Sequence, residues 1–197
     1  MARRRVGILI SGRGSNMLAL IEAAQAPDYP AEIVLVISNE PDAAGLDFAR
    51  SRGIATAVVN HRDFSSRDAF ATALDTALQA AKVEIVCLAG FMRMLADSFV
   101  ERWRGRMINV HPSLLPAFKG LDTHARALAA GAKTHGCTVH FVVPELDAGP
   151  SILQAEVPVL PGDDEQSLAA RVLKEEHRIF PEALRLVCEG RAKFGGA

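Results

Sequence analysis

Apolar residues in this chain gather in short, solid runs separated by mixed segments. Val6–Ile10, Ile33–Ile37, Ile54–Val59, Val83–Ala89 and Met107–Val110 are each apolar or nearly so. Runs of that length without strict alternation predict strands covered on both faces. Between them the period lengthens. Met17, Leu18, Leu20 and Ile21 follow helical spacing, as do residues 42–52 (closed by Gly53), the stretch from Ser65 or Ser66 to about Ala81, and 91–102 in pieces. Strand and helix alternating at this spacing predict an α/β fold, a doubly wound and mostly parallel Rossmann-like sheet. The pattern changes after Pro112, which cannot donate to a sheet ladder. A short helix is expected over 123–130, and Thr138–Val143 and Ile152–Val159 read as strands with no helix between them. They fit antiparallel strands at the sheet edge. Residues 164–189 predict a long amphipathic C-terminal helix, with Pro181 as a candidate kink. No repeat or linker interrupts the pattern, so one domain over 1–197 is expected.

Composition narrows the classes. The 197 residues are 49% hydrophobic and 23% charged, with a formal net charge of -1. That is ordinary for a soluble globular chain and gives no electrostatic reason to expect a nucleic acid or an anionic membrane. No apolar run approaches the ~20 residues of a membrane span. The basic Met1–Arg5 precedes an apolar run too short for a signal peptide. Cys87, Cys137 and Cys188 are odd in number, scattered, and lack paired metal spacing. A reduced, cytoplasmic protein is the expectation.

Two stretches carry chemistry. Asn109 and His111 lie two apart at the end of the fifth run, so an extended chain sends both side chains to one face where a strand becomes a loop. They read either as a site or as a packed pair bonded to backbone groups. Gly12-Arg13-Gly14-Ser15-Asn16 joins a buried strand to a helix. Glycines permit a tight turn there, and the free N–H groups of the first helical turn favour a phosphate. The third Rossmann glycine is replaced by Met17 and the Walker lysine is missing, so a monophosphate fits better than a dinucleotide or triphosphate. His135 and His140 are five apart, on opposite faces of a strand, which argues against a metal shared with His111. His61 and His124 read as surface residues. Leu115–Pro116 is a candidate cis bond.

Ser11-Gly12-Arg13-Gly14-Ser15-Asn16, Leu88-Ala89-Gly90-Phe91-Met92-Arg93, Asn109-x-His111-Pro112-Ser113-Leu114-Leu115-Pro116 and Leu146-Asp147-x-Gly149 occur in this order. Together they resemble the folate-dependent phosphoribosylglycinamide formyltransferases, from Val6 to about Arg191. The resemblance implies the formyltransferase version of the fold, with phosphoribosyl binding in the N-terminal half and folate binding and catalysis in the C-terminal half. It implies Asn109, His111 and Asp147 as the catalytic trio. Gly14, Ser15, Asn16 and Glu176 would hold the phosphoribosyl group. Arg67, Met92, Arg93, Met94, Leu95 and Val143, with Asn109 and Asp147, would meet the folate, and His140 and Thr138 would support the site. The implied substrates are glycinamide ribonucleotide and 10-formyltetrahydrofolate, with no metal. Pro144 departs from the polar residue expected there. Lys174 and Lys119 are the candidate cations for the phosphate, Leu173 standing where one would count most. Oligomeric state, monomer or homodimer, is left open. Formyltetrahydrofolate hydrolase and methionyl-tRNA formyltransferase would share the trio, the first with a further N-terminal domain and the second with a nucleic-acid-binding one. A non-catalytic nucleotide-phosphate module would need only the glycine loop.

Overall fold

The computed structural model describes residues 2–195. Seven strands form one sheet in the order β3-β2-β1-β4-β5-β6-β7. They are β1 (Arg4–Ile10), β2 (Ala31–Ser38), β3 (Ala55–Val58), β4 (Ile85–Leu88), β5 (Met107–His111), β6 (Thr134–Phe141) and β7 (Ser151–Pro158). The first five are mutually parallel, and β6 and β7 join antiparallel beside β5. The solid apolar runs become these central strands because helices cover both faces. One layer holds α1 (Ser15–Ala23), α2 (Ala44–Ser51) and α6 (Glu165–Cys188), packed with Ile8, Ile10, Ile108, Val110 and Val139. The opposite layer holds α3 (Arg67–Ala80) and α4 (Asp97–Arg102), packed with Leu9, Ile37, Val86 and Met107. The short α5 (Thr123–Ala129) contacts α6.

Local signals place several ends. The Ser66 hydroxyl accepts from the Ala69 N–H and starts α3. Asp164 and Ser167 form a reciprocal capping box that starts α6. That helix runs through Pro181, whose carbonyl accepts from the Tyr29 hydroxyl at 2.6 Å. Leu115–Pro116 is cis.

Two expectations need correction. Residues 91–96 are not helical, and only Asp97–Arg102 is. The Met92 N–H donates to the Ser11 hydroxyl at 2.7 Å, and the Gly90 carbonyl accepts from the Ser11 N–H at 3.1 Å. Backbone groups that a helix would use are tied instead to the loop after β1. The strand expected at Thr138–Val143 begins at Thr134 and ends at Phe141. Thr134, His135 and Gly136 look like a loop, yet they pair with Pro158, Val157 and Glu156 of β7.

This topology sets where ligands can gather. The order reverses between β1 and β4, and crevices at such switch points lie outside the carboxyl ends of the strands. The glycine loop follows β1, the 90–96 turn follows β4, and the Asn109 and His111 segment ends β5.

Candidate active site

The antiparallel register does the first part of the assembly. Asn109 pairs with His140 and His111 with Thr138, so four polar side chains share one face of β5 and β6. Asp147 arrives from the loop that joins β6 to β7, in a left-handed backbone conformation with φ of 47°. Its Oδ2 lies 3.4 Å from His111 Nδ1 and accepts the Gly120 N–H at 2.9 Å. On the other side of the ring, His111 Nε2 stands 3.0 Å from the Phe118 carbonyl. Both His111 nitrogens thus face acceptors. The structure brings Asn109, His111 and Asp147 into one cluster.

His140 orients Asn109. Its Nδ1 is 2.9 Å from the Phe141 carbonyl, so that nitrogen carries the proton and Nε2 is left with a lone pair. The Asn109 amide donates to Nε2 at 3.2 Å, fixing which end of the amide is nitrogen. Burial, only partly countered by the Phe141 carbonyl and Asp147, holds the His140 pKa below its ordinary value and so keeps the ring neutral. Thr138 has a different task. Its hydroxyl donates to the Ser113 carbonyl at 2.7 Å and accepts from the Leu115 N–H at 3.0 Å and the Gln154 amide at 2.9 Å. It anchors the loop after β5.

The second cluster lies at the start of α1. Gly14, with φ of 74° and ψ of 32°, turns the chain into the helix, and no side chain caps it. Its first turn contains no acidic residue, so the N–H groups of Ser15, Asn16 and Met17 are free to face an anion. The buried Asn16 amide donates to Glu176 Oε2 at 2.6 Å, and its Oδ1 has no partner among the described residues. Burial raises the Glu176 carboxyl above its usual range, against the lowering effect of Asn16. A groove of about 510 Å³ between α1 and α6 opens beside Ser15, with Glu22, His177 and Arg178 on its walls.

Between the clusters the surface turns apolar. Of the seven large hydrophobic residues exposed among the described residues, Met92, Met94, Leu121 and Leu146 sit in the loops after β4, β5 and β6. Leu95 is buried beneath them, Arg93 is exposed, and Val143 is half-buried in the Asp147 loop. Arg67 is exposed at the first position of α3. Lys119 lies in the loop after β5, and Lys174 is exposed on α6.

The formyl transferase family pattern matches residues 4–184. The *Escherichia coli* phosphoribosylglycinamide formyltransferase is 46% identical over 95% of this chain and 88% of its own length. The chain belongs to the phosphoribosylglycinamide formyltransferase family. A crystal structure of the family from *Brucella melitensis* is 55% identical, superposes with a TM-score of 0.91, and covers 94% of this chain and 96% of that one. The bovine trifunctional purine biosynthetic protein adenosine-3 is 51% identical over 98% of this chain, which spans 19% of that protein's length. This formyltransferase is an enzyme, with the family's mostly parallel sheet and antiparallel C-terminal strands.

Sequence reasoning missed several side chains that hold the formyltransferase site together. Ser11 ties the glycine loop to the 90–92 turn and donates to Asn39 Oδ1. Gln154 donates to the Leu115 carbonyl at 2.8 Å. His61, expected at the surface, is half-buried with Nδ1 3.2 Å from the Asn39 amide. His124, also expected at the surface, is half-buried against His135. Single polar residues leave no periodic trace, and these contacts cross 11 to 81 positions of sequence. Among the described residues, no group of three His, Cys, Asp or Glu side chains is arranged to hold a metal. No described helix is long and apolar enough to cross a membrane.

Burial also gives this formyltransferase a pH signature. It pushes His135 down to about 4 from an ordinary 6.5 and lowers His124 and His140 in the same direction. The unfolded chain therefore takes up these protons first, and their contribution to stability is present above pH 6.5 and lost as pH falls towards 4. Glu176, raised above its ordinary 4.5, works the other way and loses its contribution as pH rises through its folded value. Comparison with His135→Phe separates the two. The Tm advantage of the wild type over that variant should shrink as pH falls from 7 to 4, whereas a constant difference would show that the ring is not titrating.

Proposed function

We propose that this enzyme transfers the formyl group of 10-formyltetrahydrofolate to the amine of glycinamide ribonucleotide. The observation that carries the reading is the convergence of Asn109, His111 and Asp147 beside an apolar rim, across the sheet's switch point from a free helix N-terminus. The amine attacks the formyl carbon and builds a tetrahedral adduct with negative charge on oxygen. Asn109 and His111 offer N–H donors to that oxygen as the charge develops. Asp147 holds the imidazole in orientation. Its 3.4 Å contact is long for a hydrogen bond, so Nδ1–H keeps donor capacity for the adduct oxygen while Asp147 stays beside the ring. The attacking amine must lose a proton and the folate nitrogen must gain one, a transfer that His111 or a positioned water can carry.

The α1 N-terminus suits the phosphate, and Asn16 and Glu176 suit the ribose hydroxyls, Asn16 Oδ1 being a buried acceptor still in need of a donor. In this reading Met92, Arg93, Met94, Leu95, Val143 and Arg67 meet the folate. Lys119 and Lys174 are the candidate cations for the phosphate. The test is folate release, followed by absorbance, on mixing protein, ribonucleotide and formyl folate. Release that depends on the amine supports the reading; formate release that ignores the amine points to a hydrolase instead. Asn16→Ala should raise KM for the ribonucleotide by about 10-fold with little change in kcat, because it removes binding common to ground and transition states. A fall in kcat at unchanged KM would move Asn16 out of the sugar-phosphate pocket.

A further inference from the structure

Two histidines behind His111 take no part in the chemistry above. His135 opens β6 and is buried; His124 lies in the first turn of α5. Their rings meet edge to face with centroids 5.1 Å apart, and His135 Nε2 is 3.2 Å from His124 Nδ1. One of those nitrogens must carry the proton and the other must not. Burial favours the neutral form of both rings, so a single N–H bridges the two nitrogens.

The same His135 ring meets Phe118 edge on, with centroids 5.9 Å apart, while the Arg126 guanidinium covers Phe118 at 5.7 Å from its centroid. Phe118 needs such support. Its φ of 53° lies in the left-handed region, a strained conformation for an aromatic residue. In that conformation its carbonyl faces His111 Nε2. One imidazole therefore touches the side chain whose backbone holds the far side of the His111 ring.

We propose that His124 and His135 are a positioning pair for His111, joined through one shared N–H that holds the His135 ring against Phe118. Neither ring reaches the reacting atoms; the pair acts through the chain around His111. The role rests on the formyl-transfer reading. Loss of the pair lets the His111 ring drift, and displacements near 1 Å cost about 100-fold in rate when complete. Partial release should cost less.

The test uses the full chain, with glycinamide ribonucleotide and 10-formyltetrahydrofolate as substrates, and compares His124→Ala with His124→Asn. His124→Ala should lower kcat by about 10-fold and leave KM for the ribonucleotide within about two-fold. His124→Asn, which keeps an N–H near the place of Nδ1, should recover most of that loss. Long-range ¹H–¹⁵N spectra of the wild-type rings should show one of His135 Nε2 and His124 Nδ1 protonated and the other bare, a readout independent of turnover. Equal kcat in wild type and His124→Ala overturns the role, as do Ala and Asn variants that are equally slow, or protons on both of those nitrogens. No turnover by the wild type removes the formyl-transfer reading and the role with it; turnover that ignores His124 removes the role alone.

Discussion

Asn109→Ala and His111→Ala should each lower kcat/KM for formyl transfer by about 100-fold or more, the usual cost of removing one donor from an oxyanion site. The two side chains leave the same face of β5, and each is held by its own neighbour, Asn109 by His140 and His111 by Asp147 and the Phe118 carbonyl. In the proposed mechanism they serve one charge on one oxygen. The double variant should therefore lose less than the product of the single losses. Steady-state kinetics of the three variants at saturating folate decides this. Losses that multiply in full would mean that the two groups act in separate steps, and unchanged turnover in either single variant would remove it from the chemistry.

Gly149→Ala should be nearly as damaging although it adds one methyl group. A Cβ at Gly149 would stand 1.8 Å from the Phe141 carbonyl oxygen, inside any permitted contact. That carbonyl is the partner of His140 Nδ1, and the Phe141 N–H donates to the Pro150 carbonyl at 2.9 Å. The methyl group must push the Asp147 loop off the end of β6. His140 then loses the contact that fixes its tautomer, and Asp147 loses its place beside His111. We expect kcat to fall by about 100-fold and stability by about 1–3 kcal/mol, as for other overpacked sites. Gly149→Ala that turns over and melts like the wild type would mean that the loop closes around Asp147 in another way.

The central strands were legible because burial on both faces leaves solid apolar runs, and Asn109 and His111 were legible because period two puts them on one face. Partner choice was not. His140 has no sequence feature that sets it opposite Asn109, and only the antiparallel register of β5 and β6 does so. The β6 start at Thr134 was hidden because it is short-range polar sequence paired with β7, and strand pairing follows from the partner rather than from local propensity. The 91–96 segment has helical composition, but Ser11, 81 positions away, takes its Met92 N–H. His124 illustrates the same limit. Its surroundings in sequence are those of an exposed helix, and its burial comes from His135 across the loop. The proposed trio of Asn109, His111 and Asp147 was readable as a motif, whereas Ser11, Gln154 and the His124–His135 pair exist only as tertiary contacts.

The most direct measurement follows the reacting carbon itself. With 10-formyltetrahydrofolate labelled with ¹³C at the formyl carbon, the wild type should place the label on the ribonucleotide's amine nitrogen and release none as formate. His111→Ala should slow that single product's appearance without diverting the label. Labelled formate appearing at the same rate with and without the ribonucleotide would contradict the account, because water and not the amine would then be the acceptor.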